Sequence, residues 1–320
     1  MSAVEQLDDR VYRVEMPFDG GLVNSYLLDT PRRTVIDTGT AVVPEQSLLP
    51  ALRRLGWRPE SVSLILNTHG HPDHGGGNSA LRAATAAAVW LHADDCDLGD
   101  PGVVVERFAD HPYRLLGEVG SAAHVAAAAS LRQAIGQGFR VDETLTEHTS
   151  FDLGEGVHLA VLHVPGHTSG SCAFLLRDSL LFSGDAVSGC GSHTPSLPLY
   201  EDAAAYRASL ERLVDLEPTT LALGHRYRWP GGAPTAVRRG ADVAATVRAS
   251  LDAWEAIDAA VAETLLDDPG IGLAPLVRRV VLATARALDN PQRADGGYPF
   301  GSVLTVAAHA GALRGTAPAA

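Results

Sequence analysis

The chain has 320 residues, of which 46% are hydrophobic and 20% are charged, a composition that is typical of a globular protein and excludes intrinsic disorder. The formal net charge of -13 argues against a surface built to follow phosphate backbones, so we expect no nucleic-acid partner. Three scattered cysteines, Cys96, Cys172 and Cys190, exclude a disulfide framework and a Cys-x-x-Cys metal site.

The N-terminal stretch, MSAVEQLDDRVYRVEMPFDGG, has acidic residues where a signal peptide would be basic and then apolar. No apolar run approaches the roughly 18 residues that a membrane helix needs. We therefore expect a cytoplasmic protein with reduced thiols and no membrane partner.

Strand-like runs open the chain, and two helical segments, PEQSLLPALRRLG and NSALRAATAAA, separate them. These first strands are RVYRVE, LVNSYLL, TVID, SLILNT and AAVWLH. Residues 94–140 are Ala-rich, lack a strand signal and are predicted to be helical. Strands return with VHLAVLHVPG, CAFLLRD, SLLFSGD and TTLALGH. This alternation predicts an α/β protein whose helices cover the faces of its sheets.

The segment WPGGAP is a natural boundary because Pro and Gly interrupt regular structure. Residues 236–320 beyond it show helical periodicity and almost no strand signal. We therefore predict a main domain over residues 1–235 and a helical C-terminal region over residues 236–320.

One short segment, THGHPDHGG, concentrates groups that bind metals. His69 and His71 alternate, so both can point to one side of an extended backbone. Asp73 and His74 follow directly, and the glycines of 75–77 are expected to relax the backbone. One loop can thus offer ligands to two cations.

Further ligands follow later strand-like runs. His167 lies in VPGHTSGS, Asp185 in LLFSGDAV and His225 in LALGHR. We predict two metal sites that share one bridging carboxylate, Asp185. The ligands of the first metal are predicted to be His69, His71 and His167, and those of the second Asp73, His74 and His225. The other histidines, such as His92, His124, His158, His163 and His309, and the apolar Cys172 are predicted to be structural.

These motifs resemble the signature of the metallo-β-lactamase superfamily, in which THxHxDHxGG is followed by PGHTxG, then GD and a final GH. The resemblance covers roughly residues 10–230. It implies an αββα four-layer sandwich with the metals at one edge, to which this chain adds a helical insertion and a helical C-terminal region. VIDTG also matches, which implies that Asp37 steadies the metal loop.

Within the superfamily, the residues favour the glyoxalase II, lactonase and thioesterase members. Secreted β-lactamases would have a signal peptide and usually lack the bridging Asp. Flavo-diiron oxidoreductases carry a Glu where this chain has His71, and RNA-processing members bring basic surfaces. The chain departs from the common pattern in two places: a long insertion, residues 94–140, which is a candidate lid, and Arg226, where Gly is frequent.

The resemblance implies a hydrolase that cleaves a small ester, thioester or lactone with an activated water between two divalent cations. Zinc is favoured, and iron or manganese would accept the same ligands. Asp73 would also hold or accept a proton, a role suggested by relatives. Candidate substrate contacts are His193, Tyr200, His111 and Tyr113, which lie in segments expected to border the pocket.

Two alternatives remain open. One is an iron persulfide dioxygenase with a reduced ligand set, and the other is a ligand-binding protein that hydrolyses little because the insertion closes its pocket. The C-terminal helices can bind substrate, pack against the main domain or form a homodimer.

Overall fold

Two β-sheets form the centre of the protein. The structure, a computed structural model, describes residues 4–18, 21–191, 196–230, 233–290 and 300–314. The strands, in chain order, are β1 Val4–Gln6, β2 Val11–Phe18, β3 Gly21–Leu28, β4 Arg33–Ile36, β5 Val62–Leu66, β6 Ala88–His92, β7 Glu143–Leu145, β8 Ser150–Asp152, β9 His158–His163, β10 Cys172–Leu176, β11 Leu180–Gly184, β12 Thr220–Tyr227 and β13 Thr235–Arg239.

The α-helices lie on the outer faces of the sheets, in the insertion and in the C-terminal region. They are α1 Leu49–Arg54, α2 Pro72–Gly75, α3 Asn78–Thr85, α4 Pro101–Val105, α5 His111–Leu116, α6 Ala122–Ile135, α7 Ala203–Asp215, α8 Ala241–Asp267, α9 Leu273–Thr284 and α10 Phe300–Arg314. Short 3₁₀ or π-helical segments span Pro44–Leu48, Pro59–Ser61, Ala93–Gly99 and Glu106–Asp110. Among the helices of these described residues, none is long and apolar enough to cross a membrane.

The first sheet contains β1 to β7 and the second contains β8 to β13. They join through β3 and β12, where Val23 lies opposite His225. The pairs β4–β5 and β11–β12 are parallel, so the residues that follow paired strands emerge at a common edge.

Apolar side chains separate the layers. Leu28, Ile36 and Leu66 of the first sheet meet Phe174 and Phe182 of the second in one buried cluster. The remaining layers are formed by α1 and α3 on the outer face of the first sheet, and by α7 and α8 on that of the second. This arrangement, together with the helices of residues 94–140 and 236–320, confirms the predicted αββα fold class. The domain boundary near residue 235 stays a prediction.

Candidate metal centre

The loop between β5 and α3 carries four of the predicted ligands. His71 keeps an extended backbone (φ -61°, ψ 149°), and Pro72 then starts α2, which places Asp73 and His74 on a helical turn. Because the backbone changes from extended to helical at this point, the two pairs of side chains face different parts of one pocket. All four residues are buried.

The glycines that follow serve close packing, which corrects the expectation that they relax the backbone. None of the residues 75–77 has a positive φ. A Cβ on Gly76 would lie 2.3 Å from the carbonyl oxygen of Pro72 and 2.5 Å from that of Ala134 in α6. Glycine is required here because the insertion packs directly on the loop.

The first cluster is formed by three imidazoles. His167 Nε2 lies 3.1 Å from His69 Nε2 and 3.0 Å from His71 Nδ1. The other ring nitrogen of His167 donates to the Leu199 carbonyl over 2.7 Å, and His69 Nδ1 lies 3.0 Å from Thr68 Oγ1. If these outer nitrogens hold the hydrogens, the inner nitrogens present bare lone pairs to one another, an arrangement that a shared cation stabilises.

The second cluster is formed by two imidazoles and one carboxylate. His225 Nε2 lies 3.1 Å from Asp73 Oδ2 and 3.3 Å from His74 Nε2. The outer nitrogens again have protein acceptors, since His225 Nδ1 lies 2.8 Å from the Leu22 carbonyl and His74 Nδ1 lies 2.8 Å from Asp37 Oδ2. The inner atoms are thus left to face each other.

Asp185 lies between the two clusters. Its Oδ1 is 3.6 Å from His74 Nε2, and its Oδ2 is 3.5 Å from His225 Nε2 and 3.7 Å from His167 Nε2. Oδ1 is buried and has no hydrogen-bond partner within the described part of the chain. A Cβ at position 224 would lie 2.2 Å from this oxygen, so Gly224 is needed to let β12 approach.

Asp37 connects β4 to the metal loop. Its Oδ1 accepts a hydrogen bond from the Thr68 amide, and its Oδ2 accepts from Thr68 Oγ1 and His74 Nδ1, each over 2.8 Å. Its backbone is left-handed (φ 59°), a strained conformation that these bonds hold in place. The residue therefore orients His74 and, through Thr68, also His69.

Two carboxylates near the centre were missed by the sequence analysis. Asp95 is fully buried and accepts hydrogen bonds from the Gly70 amide, the Gly170 amide and Thr168 Oγ1, over 2.9, 2.9 and 2.7 Å. It ties the loop of His69 and His71 to the loop of His167. Its segment, ADDC, carries no spacing signal, because its partners are distant in sequence.

Glu201 is the second missed carboxylate. Its Oε1 faces His71 Nε2 at 3.9 Å, and both atoms are buried without a closer hydrogen-bond partner in the described residues. Its Oε2 accepts a 2.8 Å hydrogen bond from Nε of Arg107, which belongs to the insertion. The neighbouring Phe108 packs its ring edge-on against His71 at 4.6 Å. The insertion thus fixes the orientation of a predicted ligand.

The electrostatics of the centre favour bound positive charge. Burial opposes ionisation of Asp73 and Asp185, but the neighbouring imidazoles outweigh it and hold the pKa of both below the usual range. Burial lowers the pKa of His167 to about 4, so this ring is neutral near pH 7, the form that binds metals. Burial also lowers the pKa of His74, but the carboxylates around it raise it overall to about 10. Buried carboxylates of this kind require a cationic partner.

A cavity of about 370 Å³ opens beside the two clusters and is lined in part by His71, Asp73, His167, Asp185 and His225. The other candidate residues lie elsewhere. Tyr200 is fully buried, stacks on Tyr206 and shares a 2.7 Å hydrogen bond with His309 Nε2, so it is part of the packed core and not of the cavity wall.

The remaining weak candidates also fail to reach this cavity or cannot be placed. His111 and Tyr113 belong to α5 and do not line the cavity. His193 lies outside the described residues. Cys172 is buried in β10, as predicted, and burial raises the pKa of its thiol.

Known proteins resemble this chain in sequence and in fold. A hydroxyacylglutathione hydrolase from Rhodospirillum rubrum is 31% identical over 202 residues, 60% of this chain and 60% of that protein. An atrochrysone carboxyl ACP thioesterase from Passalora fulva is 26% identical over 223 residues, 66% of this chain and 52% of that protein. This chain thus spans about 60% or less of the length of these curated relatives.

A metallo-beta-lactamase family protein from Thermus thermophilus has a similar fold, with a TM-score of 0.71 at 21% identity over 97% of this chain and 95% of that chain. The family model of the metallo-beta-lactamase superfamily matches residues 18–225. These residues contain all seven predicted metal ligands. The chain therefore belongs to the metallo-β-lactamase superfamily.

Proposed function

We propose that this protein is a metal-dependent hydrolase that cleaves a small ester, thioester or lactone at a centre for two divalent cations. The observation that carries the proposal is the pair of converging donor clusters, with Asp185 between them, at the wall of one cavity. Relatives named as a hydroxyacylglutathione hydrolase and a thioesterase support the reaction class. Zinc fits the mixed imidazole and carboxylate donors best, and iron or manganese would accept them.

The two cations, when bound, would supply a Lewis acid for the scissile carbonyl and lower the pKa of a water that serves as nucleophile. The His69, His71 and His167 rings would hold one cation, while Asp73, His74 and His225 would hold the other and Asp185 would contact both. Asp37, Asp95 and Glu201 would keep these side chains oriented, as outer partners of metal ligands commonly do.

Asp73 would also handle the proton of the reaction. Its Oδ2 faces the second cluster, and the residue lines the cavity, so the carboxylate can reach a group that is bound there. The low pKa of the carboxyl group keeps it ionised and able to accept a hydrogen bond from the nucleophile. We assign no Ser or Cys nucleophile, since the residues on this side of the cavity are metal-binding types.

The test is turnover of the zinc-loaded protein on matched panels of thioesters, lactones, simple esters and phosphodiesters. We expect hydrolysis within the first three panels and none on the fourth. Activity confined to phosphodiesters would overturn the proposed bond type. One iron per chain with oxygen uptake on a persulfide would replace the proposal with the dioxygenase, and two metals without any turnover would favour a binding protein.

The expected partner is a small molecule, since the cavity volume of about 370 Å³ lies in the range of small-molecule pockets. The net charge of -13 supports the expectation that nucleic acid is not a partner. A cytoplasmic location and a homodimer stay predictions.

A further inference from the structure

We propose that the substrate of this centre carries an apolar acyl chain, which lies in the cavity beside the metal ligands. The inference rests on the proposed function and names the chemical class of its substrate. Three observations support it: the apolar side chains of the cavity wall, the ion pair that Arg226 makes with the protein, and the hydrogen bonds that hold the wall in place.

The rest of the cavity wall is largely apolar, and its apolar side chains come from three separate parts of the chain. Phe18 and Leu22 lie at the facing ends of β2 and β3, where the two strands meet. Other apolar side chains come from the insertion and from the segment before α7: Phe108, Ala127, Leu131, Ala134, Leu197 and Leu199. An apolar group that packs against these side chains exchanges contact with water for apolar contacts, so its burial is favourable.

The charge of the cavity disfavours an anionic substrate tail. Arg226 is the one basic side chain among the described lining residues apart from the histidines of the centre. Its Nε donates a 2.5 Å hydrogen bond to Glu15 Oε1, which also accepts from Nη1 of Arg13. Because Arg13 also pairs with Glu5, two carboxylates of the protein balance the charges of the two arginines. A substrate tail with its own carboxylates would lose hydration here without gaining a free cation.

Hydrogen bonds to the backbone of the lining segments hold the wall in place, so we expect the cavity to keep its shape without a substrate. Thr305 Oγ1 in α10 donates to the Pro198 carbonyl over 2.7 Å, and Ser302 Oγ accepts from the Leu197 amide over 3.1 Å. On the other side, the Ala134 carbonyl at the end of α6 accepts from the Ala41 amide over 2.7 Å. A fixed wall sets an upper limit to the length of chain that fits.

The experiment measures kcat/KM for a series of aliphatic thioesters from acetyl through butanoyl, hexanoyl and octanoyl to dodecanoyl. Each buried methylene should raise kcat/KM about two- to fourfold until the cavity is full. Succinyl, which has a carboxylate in place of the terminal methyl group of butanoyl, should be a poorer substrate than butanoyl. A flat series, or succinyl equal to butanoyl, would overturn the inference.

Two variants of one wall residue locate the effect. Leu131→Trp should move the preferred chain length downward, and Leu131→Ala should move it upward, because Leu131 of α6 lines the cavity. The matched control is Val125→Trp on the same helix, at a side chain that is 59% exposed and does not line the cavity. An equal change in the control would mean that the helix was perturbed and would contradict the assignment of this wall.

A binding measurement separates this inference from the proposed function. Calorimetry with acetate, butanoate, hexanoate and octanoate should show affinity rising along the series, whether or not any thioester is cleaved. Rising affinity without turnover would refute the hydrolase and keep the apolar subsite. Turnover with equal affinity for all four acids would keep the hydrolase and refute the subsite.

Discussion

The metal centre and the cavity wall are built in opposite ways. At the centre, the predicted ligands lie in the segments that follow β5, β9 and β11 and near the end of β12. Nearby groups such as Asp37 and the Leu199 carbonyl bind the outer ring nitrogens of the histidines. The wall instead comes from the insertion, β2, β3 and a segment held by α10. The centre is polar and its residues match the motifs of a superfamily signature, whereas the wall is largely apolar and lies outside those motifs. In our proposal, the segments that would catalyse hydrolysis therefore differ from those that would select the substrate.

The largest effect is expected at Asp185, which lies between the clusters. Asp185→Ala should remove at least one metal and lower kcat/KM by more than the roughly 10- to 100-fold that outer partners of metal ligands cost. Metal content by elemental analysis and turnover check this. Asp252→Ala, at an exposed position of α8, is the control. A fully metallated and active Asp185→Ala variant would refute the bridging role.

The next effect concerns Asp95, whose hydrogen bonds link the loop of His69 and His71 to the loop of His167. Asp95→Ala leaves the Gly70 and Gly170 amides and the Thr168 hydroxyl without their acceptor, so unfolding free energy should fall by about 3 kcal/mol. Chemical denaturation measures this. Asp94→Ala, at the exposed neighbouring position, should change it little. Equal stability of both variants would show that the tie contributes nothing.

A smaller effect is expected at Glu201, where the insertion meets the centre. Glu201→Ala should weaken metal binding about 10-fold, because His71 loses the acceptor that orients its ring. Glu201→Gln keeps an acceptor oxygen and should recover part of the affinity. Competition with a chelator measures the change, and Glu211→Gln at an exposed site of α7 is the control. Unchanged affinity in both Glu201 variants would separate the insertion from the centre.

The smallest effect concerns Tyr200, which the sequence suggested as a substrate contact and the structure places in the core. Tyr200→Phe should lower unfolding free energy by about 1 kcal/mol, since His309 loses a buried hydrogen bond. KM for thioesters should stay unchanged. A raised KM with unchanged stability would restore Tyr200 as a substrate contact.

The sequence predicted the fold and the convergence of the seven candidate metal ligands because both follow from local patterns. His69, His71, Asp73 and His74 lie on one loop, and each later ligand follows or ends an apolar run, so strand order alone brings them to one edge. Asp37 was also identified, through the resemblance. The close packing of Gly76 was not, since it depends on Ala134 in a distant helix.

Asp95, Glu201 and the cavity wall could not be predicted for the same physical reason. Each depends on contacts between residues far apart in sequence, such as Glu201 with Arg107 or Leu197 with Ser302. Nothing in the local periodicity distinguishes these residues from ordinary surface or core positions. Their positions at the site become visible only in the folded structure.

The most direct test of the proposed centre is the metal content of the zinc-loaded protein after removal of excess metal, measured by elemental analysis together with thioester turnover. We expect two zinc ions per chain, with turnover that is lost when either is removed by a chelator and restored when it is returned. One iron per chain, accompanied by oxygen uptake and no hydrolysis, would contradict the dinuclear hydrolase.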